Sequence, residues 1–160
     1  MDKSCCEAFS AWGQDVLLGK AEEEFKAFIE KAGMPAAWTI LGAGAIPTNH
    51  PLNVGMLGMH GNYASNILTN ECNVLIAVGM RFDDRVTGRL DNYAKQAKII
   101  HLDIDRAEID KNVIAEVALC GDCKQTLPLL TDKINKRDHG NWLSRFKTLY
   151  QQEFEAVIKD

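Results

Sequence analysis

The sequence predicts an α/β fold, with a parallel sheet covered by helices on both faces. Three observations carry this. First, the strand-like runs, such as "VLIAV" (Val74 to Val78) and "KIIHL", are continuously apolar rather than alternating. Strands of that kind are buried on both faces, as in parallel sheets. Second, segments of helical period separate these runs, which is the pattern of βαβ units. Third, the runs end in glycine or in charge, as in "VGMRFDDRVTG" and "LDIDRAEI". The chain has 160 residues, long enough for one domain with a substantial core.

The elements follow in order. "AEEEFKAFIEK" (Ala21 to Lys31) sets Phe25, Phe28 and Ile29 on one face behind acids in the first turn. It reads as an amphipathic helix stopped by Gly33 and Pro35. "AAWTIL" (Ala36 to Leu41) reads as a short buried strand entering the loop "GAGAIP". Asn62 to Asn70 is a short helix, and Val74 to Val78 is a strand. "AKIIHLDID" (Ala97 to Asp105) is a strand ending in acids, and "AEIDKNV" after it reads as a short helix. "EVALCGD" supplies the last strand. Lys124 to Asn135 is helical provided Pro128 sits in the first turn. Asn141 to Ile158 is an amphipathic helix striped by Trp142, Phe146, Leu149, Tyr150, Phe154 and Val157. The first eight or so residues, Cys5-Cys6 included, are expected to be frayed, as is "NKRDHGN".

Composition excludes several classes. Hydrophobic residues make up 46% and charged residues 25%, and the net charge is −4. No basic stripe offers itself to nucleic acid. No apolar run is long enough to span a bilayer, and the N-terminus lacks a secretory pattern. The expected compartment is the cytoplasm. The five cysteines are an odd number for a non-secreted chain, which argues against a disulfide framework. Cys120 and Cys123 have C-x-x-C spacing. A zinc site would need a second ligand pair at matching spacing, and the histidines do not supply it. A structural role is favoured over redox or metal chemistry.

In open parallel sheets, ligands bind at the carboxyl ends of the strands. Here those ends are Thr39 to Gly44, Gly79 to Gly88, Asp103 to Ile109, and Cys120 to Asp122. Glycine lets backbone approach a ligand closely. Arg81 and Arg85 can grip a pyrophosphate in fork geometry. Asp103, Asp105 and Asp122 can accept hydrogen bonds from ribose hydroxyls or an adenine amine. This is the composition of a dinucleotide site. Each part also has a plainer reading: loop glycines, a self-neutralising surface cluster at Arg81-Asp83-Asp84-Arg85, a loop histidine at His60, and helix caps at Asp103 and Asp105. No P-loop, G-x-S-x-G elbow or paired nucleophile and base is present. No catalytic residue and no metal ligand is therefore assigned.

"MLGMHGNYASN", "VLIAVGMRFDDRVTGRL" and "AKIIHLDIDRAEIDKN" together resemble the catalytic large subunit of the acetohydroxyacid synthase (acetolactate synthase) family. They match the central domain of those thiamine-diphosphate enzymes. The resemblance runs from about Gly13 to the end, so 1–12 is poorly matched and 13–160 is the central domain. It implies a Rossmann-like, mostly parallel sheet of about six strands, with FAD extended across the strand ends. It assigns FAD contacts to Gly13, Thr39, Ile40 and Gly42. Leu57, Gly58, Met59 and His60 of "LGMHG" follow, then Gly79, Arg81, Asp83, Arg85 and Val86. Asp103, Asp105 and Ile109 lie toward the adenosine end, and Gly121 and Asp122 follow the last strand. On this reading the arginines meet the cofactor and the aspartates hold the arginines.

The resemblance also implies an activity for the parent enzyme: joining two 2-oxo acids with loss of carbon dioxide, in branched-chain amino acid synthesis. Thiamine diphosphate and Mg²⁺ are expected only in the full-length enzyme, a homo-oligomer with a regulatory small subunit. The motif that binds thiamine diphosphate and the domain with the catalytic glutamate are absent here, so this chain is not expected to be active alone. One departure concerns the cofactor directly. Where the family has a three-glycine turn, this chain has "WGQDVLLG", so a side chain at Gln14 or Asp15 would crowd a pyrophosphate and Asp15 would repel it. Two rivals remain: a structural module without measurable ligand binding, and a stand-alone NAD- or FAD-binding protein of the same fold.

Overall fold

The computed structural model describes residues 7–158, so Cys5 and Cys6 lie outside the described residues. Six strands form one sheet: β1 (Ala8–Trp12), β2 (Ala36–Trp38), β3 (Asn53–Met56), β4 (Val74–Val78), β5 (Lys98–Asp103) and β6 (Val117–Cys120). Their order is β3-β2-β1-β4-β5-β6, and every pairing is parallel. The chain builds outward from β1 to β3, then crosses back to place β4 beside β1. This is the doubly wound Rossmann order, with its crevice where the direction of winding reverses.

Alternation along each strand splits the core into two layers. On one face Phe9, Ala11, Leu75 and Ala77 meet Leu68, Trp142 and Phe146. These come from the helices α3 (Tyr63–Thr69) and α6 (Gly140–Glu153). On the other face Trp12, Val78 and Leu102 meet Phe25, Phe28, Ile29 and Leu127. These belong to α2 (Glu22–Ala32) and α5 (Cys123–Lys133). Phe9 stacks on Phe146 with centroids 5.4 Å apart, and Trp12 leans on Phe25 at 5.2 Å. Both helical layers are thus fastened to β1, a strand that lies before residue 13 and is paired on both sides.

Several elements differ from the sequence reading. The run at Ala36 to Leu41 is strand only to Trp38, because Ile40–Gly42 turns into a 3₁₀ helix. Strand β3 went unread. It is a half-buried edge strand containing Gly55 at φ +103°. Two short helices, α1 (Gln14–Leu18) and α4 (Asp84–Thr87), were also unread. "AEIDKNV" is not a helix. The Asp105 carboxylate accepts from the Ala107 N–H at 2.9 Å, and Asp110 sits at φ +61° with its carboxylate on the Ala115 N–H. Side-chain capping of this kind competes with helical bonding. Pro128 falls in the second turn of α5, not the first. The stripe of the last helix buries only Trp142 and Phe146 fully, while Tyr150, Phe154 and Val157 stay exposed beyond the sheet. The helix ends as a π turn over Phe154–Ile158.

Candidate functional site

Strand register aligns the site. Trp12 pairs with Trp38 and Val78, and Val78 pairs with Leu102. The next residues, Thr39, Gly13, Gly79 and Asp103, therefore stand side by side across four strand ends. They line a cleft of about 810 Å³.

The glycines here are required by the protein itself. A Cβ on Gly13 would lie 2.3 Å from the Gly79 carbonyl oxygen. Gly79 adopts φ +57°, and a Cβ there would lie 2.4 Å from the Asp15 Cβ. The turns after β1 and β4 are thus pressed together, which no side chain at either position would allow.

The charged loop after β4 is pinned from both sides. His101, fully buried, has Nε2 3.0 Å from the Met80 carbonyl oxygen and packs edge-on to Phe82. The Asn112 side-chain amide donates to the Phe82 carbonyl at 2.7 Å. Between these anchors Arg81 projects outward and is exposed. Asp83 begins α4 by accepting from the Val86 N–H at 3.2 Å. Its other carboxylate oxygen is 4.0 Å from the Arg81 guanidinium, both side chains being well exposed. The aspartates therefore hold the arginines less than the resemblance implies: Asp83 is first a cap, and no ion pair joins Asp84 to either arginine among the described residues.

The "LGMHG" loop docks onto the same segment. The Met59 N–H donates to the Arg85 carbonyl at 2.7 Å. Gly58, at φ +100°, leaves no room for a Cβ against that carbonyl. Asn66 clamps Gly58, accepting from its N–H and donating to its carbonyl, each at 2.9 Å. Met59 and His60 are left exposed at the cleft.

Asp103 is buried; one oxygen accepts from the Asp105 N–H at 2.8 Å and the other is 3.6 Å from His101 Nε2. Both Asp103 and Asp105 thus shape the turn after β5 as well as lining the cleft. Asp15 lines it too. Burial first, then the charge of Asp103, push its carboxyl above the usual carboxylate range; the Ile104 N–H and Arg81 pull the other way, and Asp105 adds to the rise.

Of the residues expected at the site, Gly13, Thr39, Ile40, Leu57, Met59, His60, Gly79, Arg81, Asp83, Arg85, Val86, Asp103 and Asp105 line this cleft. Gly42, Gly58, Ile109, Gly121 and Asp122 do not. Gly42 packs under it, its carbonyl accepting from Trp12 Nε1 at 2.8 Å. Ile109 is buried. Asp122 caps α5 through the Lys124 N–H at 2.7 Å, and a Cβ on Gly121 would meet the Thr126 hydroxyl. Leu41, Met56, Met80, Ile104 and Glu108 line the cleft without having been singled out. Ile40, Leu41, Met59 and Ile104 are large apolar side chains left more than half exposed there. His101 and Asn112 support the site through contacts distant in sequence, which no local pattern announces, and Asn66 through a clamp on Gly58 eight residues before it.

The C-x-x-C pair forms no disulfide. Cys120 is exposed, and burial with nearby Asp15 pushes the Cys123 thiol up to about 12, so it is not a ready nucleophile. Among the described residues no cluster of three metal-binding side chains occurs, and no helix is long and apolar enough to cross a membrane.

Comparison with known proteins gives the family. The chain is 46% identical over 140 residues to the probable acetolactate synthase large subunit of Methanocaldococcus jannaschii, covering 86% of this chain and 24% of the relative. It is 46% identical over 126 residues to the acetolactate synthase isozyme 2 large subunit of Escherichia coli, covering 79% and 23%. It is 41% identical over 145 residues to the chloroplastic acetolactate synthase 3 of Brassica napus, covering 87% and 22%. The chain thus spans about a quarter of the length of these relatives. Residues 11–130 match the family described as "Thiamine pyrophosphate enzyme, central domain". The chain belongs to the thiamine pyrophosphate enzymes, and three-quarters of it is their central domain.

Proposed function

We propose that this chain is the central, FAD-binding domain of an acetolactate synthase large subunit, acting in branched-chain amino acid synthesis in the cytoplasm. The cleft is the observation that carries the reading. It crosses the point where the strand order reverses, where dinucleotides bind in this fold. Its donors and surfaces suit FAD: two exposed guanidiniums for phosphates, and the uncovered apolar side chains of Ile40, Leu41 and Met59 for a flat ring.

Arg81 and Arg85 would hold the phosphates, and the Gly13, Thr39 and Gly79 backbone would lie beneath them. Leu57, Gly58, Met59 and His60 would flank the flavin, with Val86 behind. Asp103 and Asp105, with Ile109, Gly121 and Asp122 further out, would serve the adenosine end. In the parent enzyme FAD plays no redox part in the net reaction. Its place here is to brace the domain between two catalytic neighbours. Thiamine diphosphate and Mg²⁺ would belong to those neighbours, and a second copy and a regulatory small subunit to the assembly. Isolated, the chain binds cofactor without turning over 2-oxo acids.

A purely structural role is the second reading, favoured by one observation: the packing of Gly13 on Gly79 accounts for both glycines without a ligand. Titration with FAD, followed by flavin fluorescence and competed with NAD, separates the readings. Saturable FAD binding that NAD does not displace supports the proposal. Displacement by NAD points to a general dinucleotide site, and no binding points to a scaffold.

A further inference from the structure

The first turn of a dinucleotide-binding sheet ordinarily reads G-x-G-x-x-G, and its second glycine lets backbone approach the pyrophosphate. In this chain β1 runs into Gly13-Gln14-Asp15, so a carboxylate stands at that second position. The geometry makes it an obstruction rather than a bystander. The Asp15 N–H bonds the Gly79 carbonyl at 3.3 Å, which fixes the residue against the end of β4. Its side chain lies over Gly79, and the backbone N–H of Ile104, just past β5, favours its charged form. Asp15 therefore extends from the first turn across the crevice, among the residues that line the cleft. The helix it opens, α1, has only five residues and brings no anion site of its own to offset the charge.

We propose that Asp15 is a specificity-determining residue that lowers this cleft's affinity for any ligand carrying a pyrophosphate across the β1–β4 crevice. The inference rests on the FAD reading above. Its physical basis is like-charge repulsion in a partly dry setting, where an anion meets less screening than in water. The carboxylate already resists its surroundings, for burial and Asp103 disfavour its charged form. Arg81 offsets part of the repulsion, but its side chain is 56% exposed and is shared with Asp83.

The test titrates FAD, and riboflavin as a phosphate-free control, into the unaltered chain, Asp15→Asn and Asp15→Gly, each checked for folding by thermal melting. Asp15→Asn keeps the shape and removes the charge. Asp15→Gly restores the glycine of the fingerprint and serves if the amide variant folds poorly. The expected result is a gain in FAD affinity of about tenfold or more in both variants with riboflavin unchanged. A matching gain for riboflavin would overturn the proposal, since Asp15 would then act by bulk and not on phosphate. Equal saturable FAD binding by all three proteins would overturn it while leaving the FAD reading intact. No saturable binding of FAD or riboflavin by any of them would overturn both.

Discussion

Arg81 is held out from a loop whose neighbouring carbonyls are tied down by His101 and Asn112. Its backbone is therefore positioned before any ligand arrives, and its guanidinium is exposed, 4.0 Å from Asp83. Where FAD binds, Arg81→Ala should weaken it by roughly 1–3 kcal/mol, the loss of a charge-assisted hydrogen bond. Fluorescence titration reads this directly, and unchanged affinity would remove Arg81 from the phosphate site. Asp15 makes a second prediction, about stability. Its carboxyl is raised in the folded state above the value of 3.8 it has when unperturbed. The folded state thus holds the proton more tightly, so the contribution is present below that value and is lost as pH rises through the folded one. Asp15→Asn should be more stable than the unaltered chain at neutral pH, with the difference closing in acid. Urea melts at the two pH values check the sign, and a variant less stable at neutral pH would contradict it. Gly79 makes the third. Alanine there must adopt φ +57° and push its Cβ to within 2.4 Å of the Asp15 Cβ. Backbone strain alone costs about 1–3 kcal/mol, so Gly79→Ala should lower the urea midpoint clearly. An unchanged midpoint would mean that the two turns part easily.

At the level of elements, what could be read from sequence is what local chemistry decides. Val74–Val78 is a strand with the bounds its apolar run suggests, because both neighbours cover it. Helix α2 stops at Gly33 because that residue takes the left-handed cap, φ +68°. The failures have equally local causes that composition hides. Strand β3 is short, carries a glycine, and is held by pairing with β2, a partner distant in sequence. The segment 107–113 contains good helix formers but loses to carboxylates that satisfy backbone N–H groups in turns. The strand-end location of the cleft was legible because fold class fixes where ligands sit. The clamps His101 and Asn112 were not, because each acts on a loop brought to it by folding. One element prediction follows. Asp122 caps α5 by its side chain, so Asp122→Ala should cost about 0.5–2 kcal/mol. FAD titration of the same variant separates its two roles: a drop in affinity marks Asp122 as a contact at the adenosine end, and an unchanged affinity leaves it as a cap alone.

At the scale of the whole molecule, β1 organises the fold. It pairs on both sides, anchors the aromatic contacts of both helical layers, and ends at the crevice. A domain boundary drawn at residue 13 on resemblance alone would discard it, along with Phe9 and Trp12, both fully buried. The cleft it helps to build carries five acids, Asp15, Asp83, Asp103, Asp105 and Glu108, against two arginines. Ile40, Leu41, Met59 and Ile104 stay exposed along the cleft, and Tyr150, Phe154 and Val157 at and past the end of α6. Surfaces of that kind suit a domain braced by neighbours, in keeping with a chain that spans about a quarter of its relatives. The most direct test of the central proposal is the FAD titration of the unaltered chain by flavin fluorescence, with riboflavin and NAD alongside. The expected result is saturable FAD binding that NAD does not displace. Absence of saturation at millimolar FAD, in a chain shown to be folded, would contradict the cofactor site and leave this domain as scaffold alone.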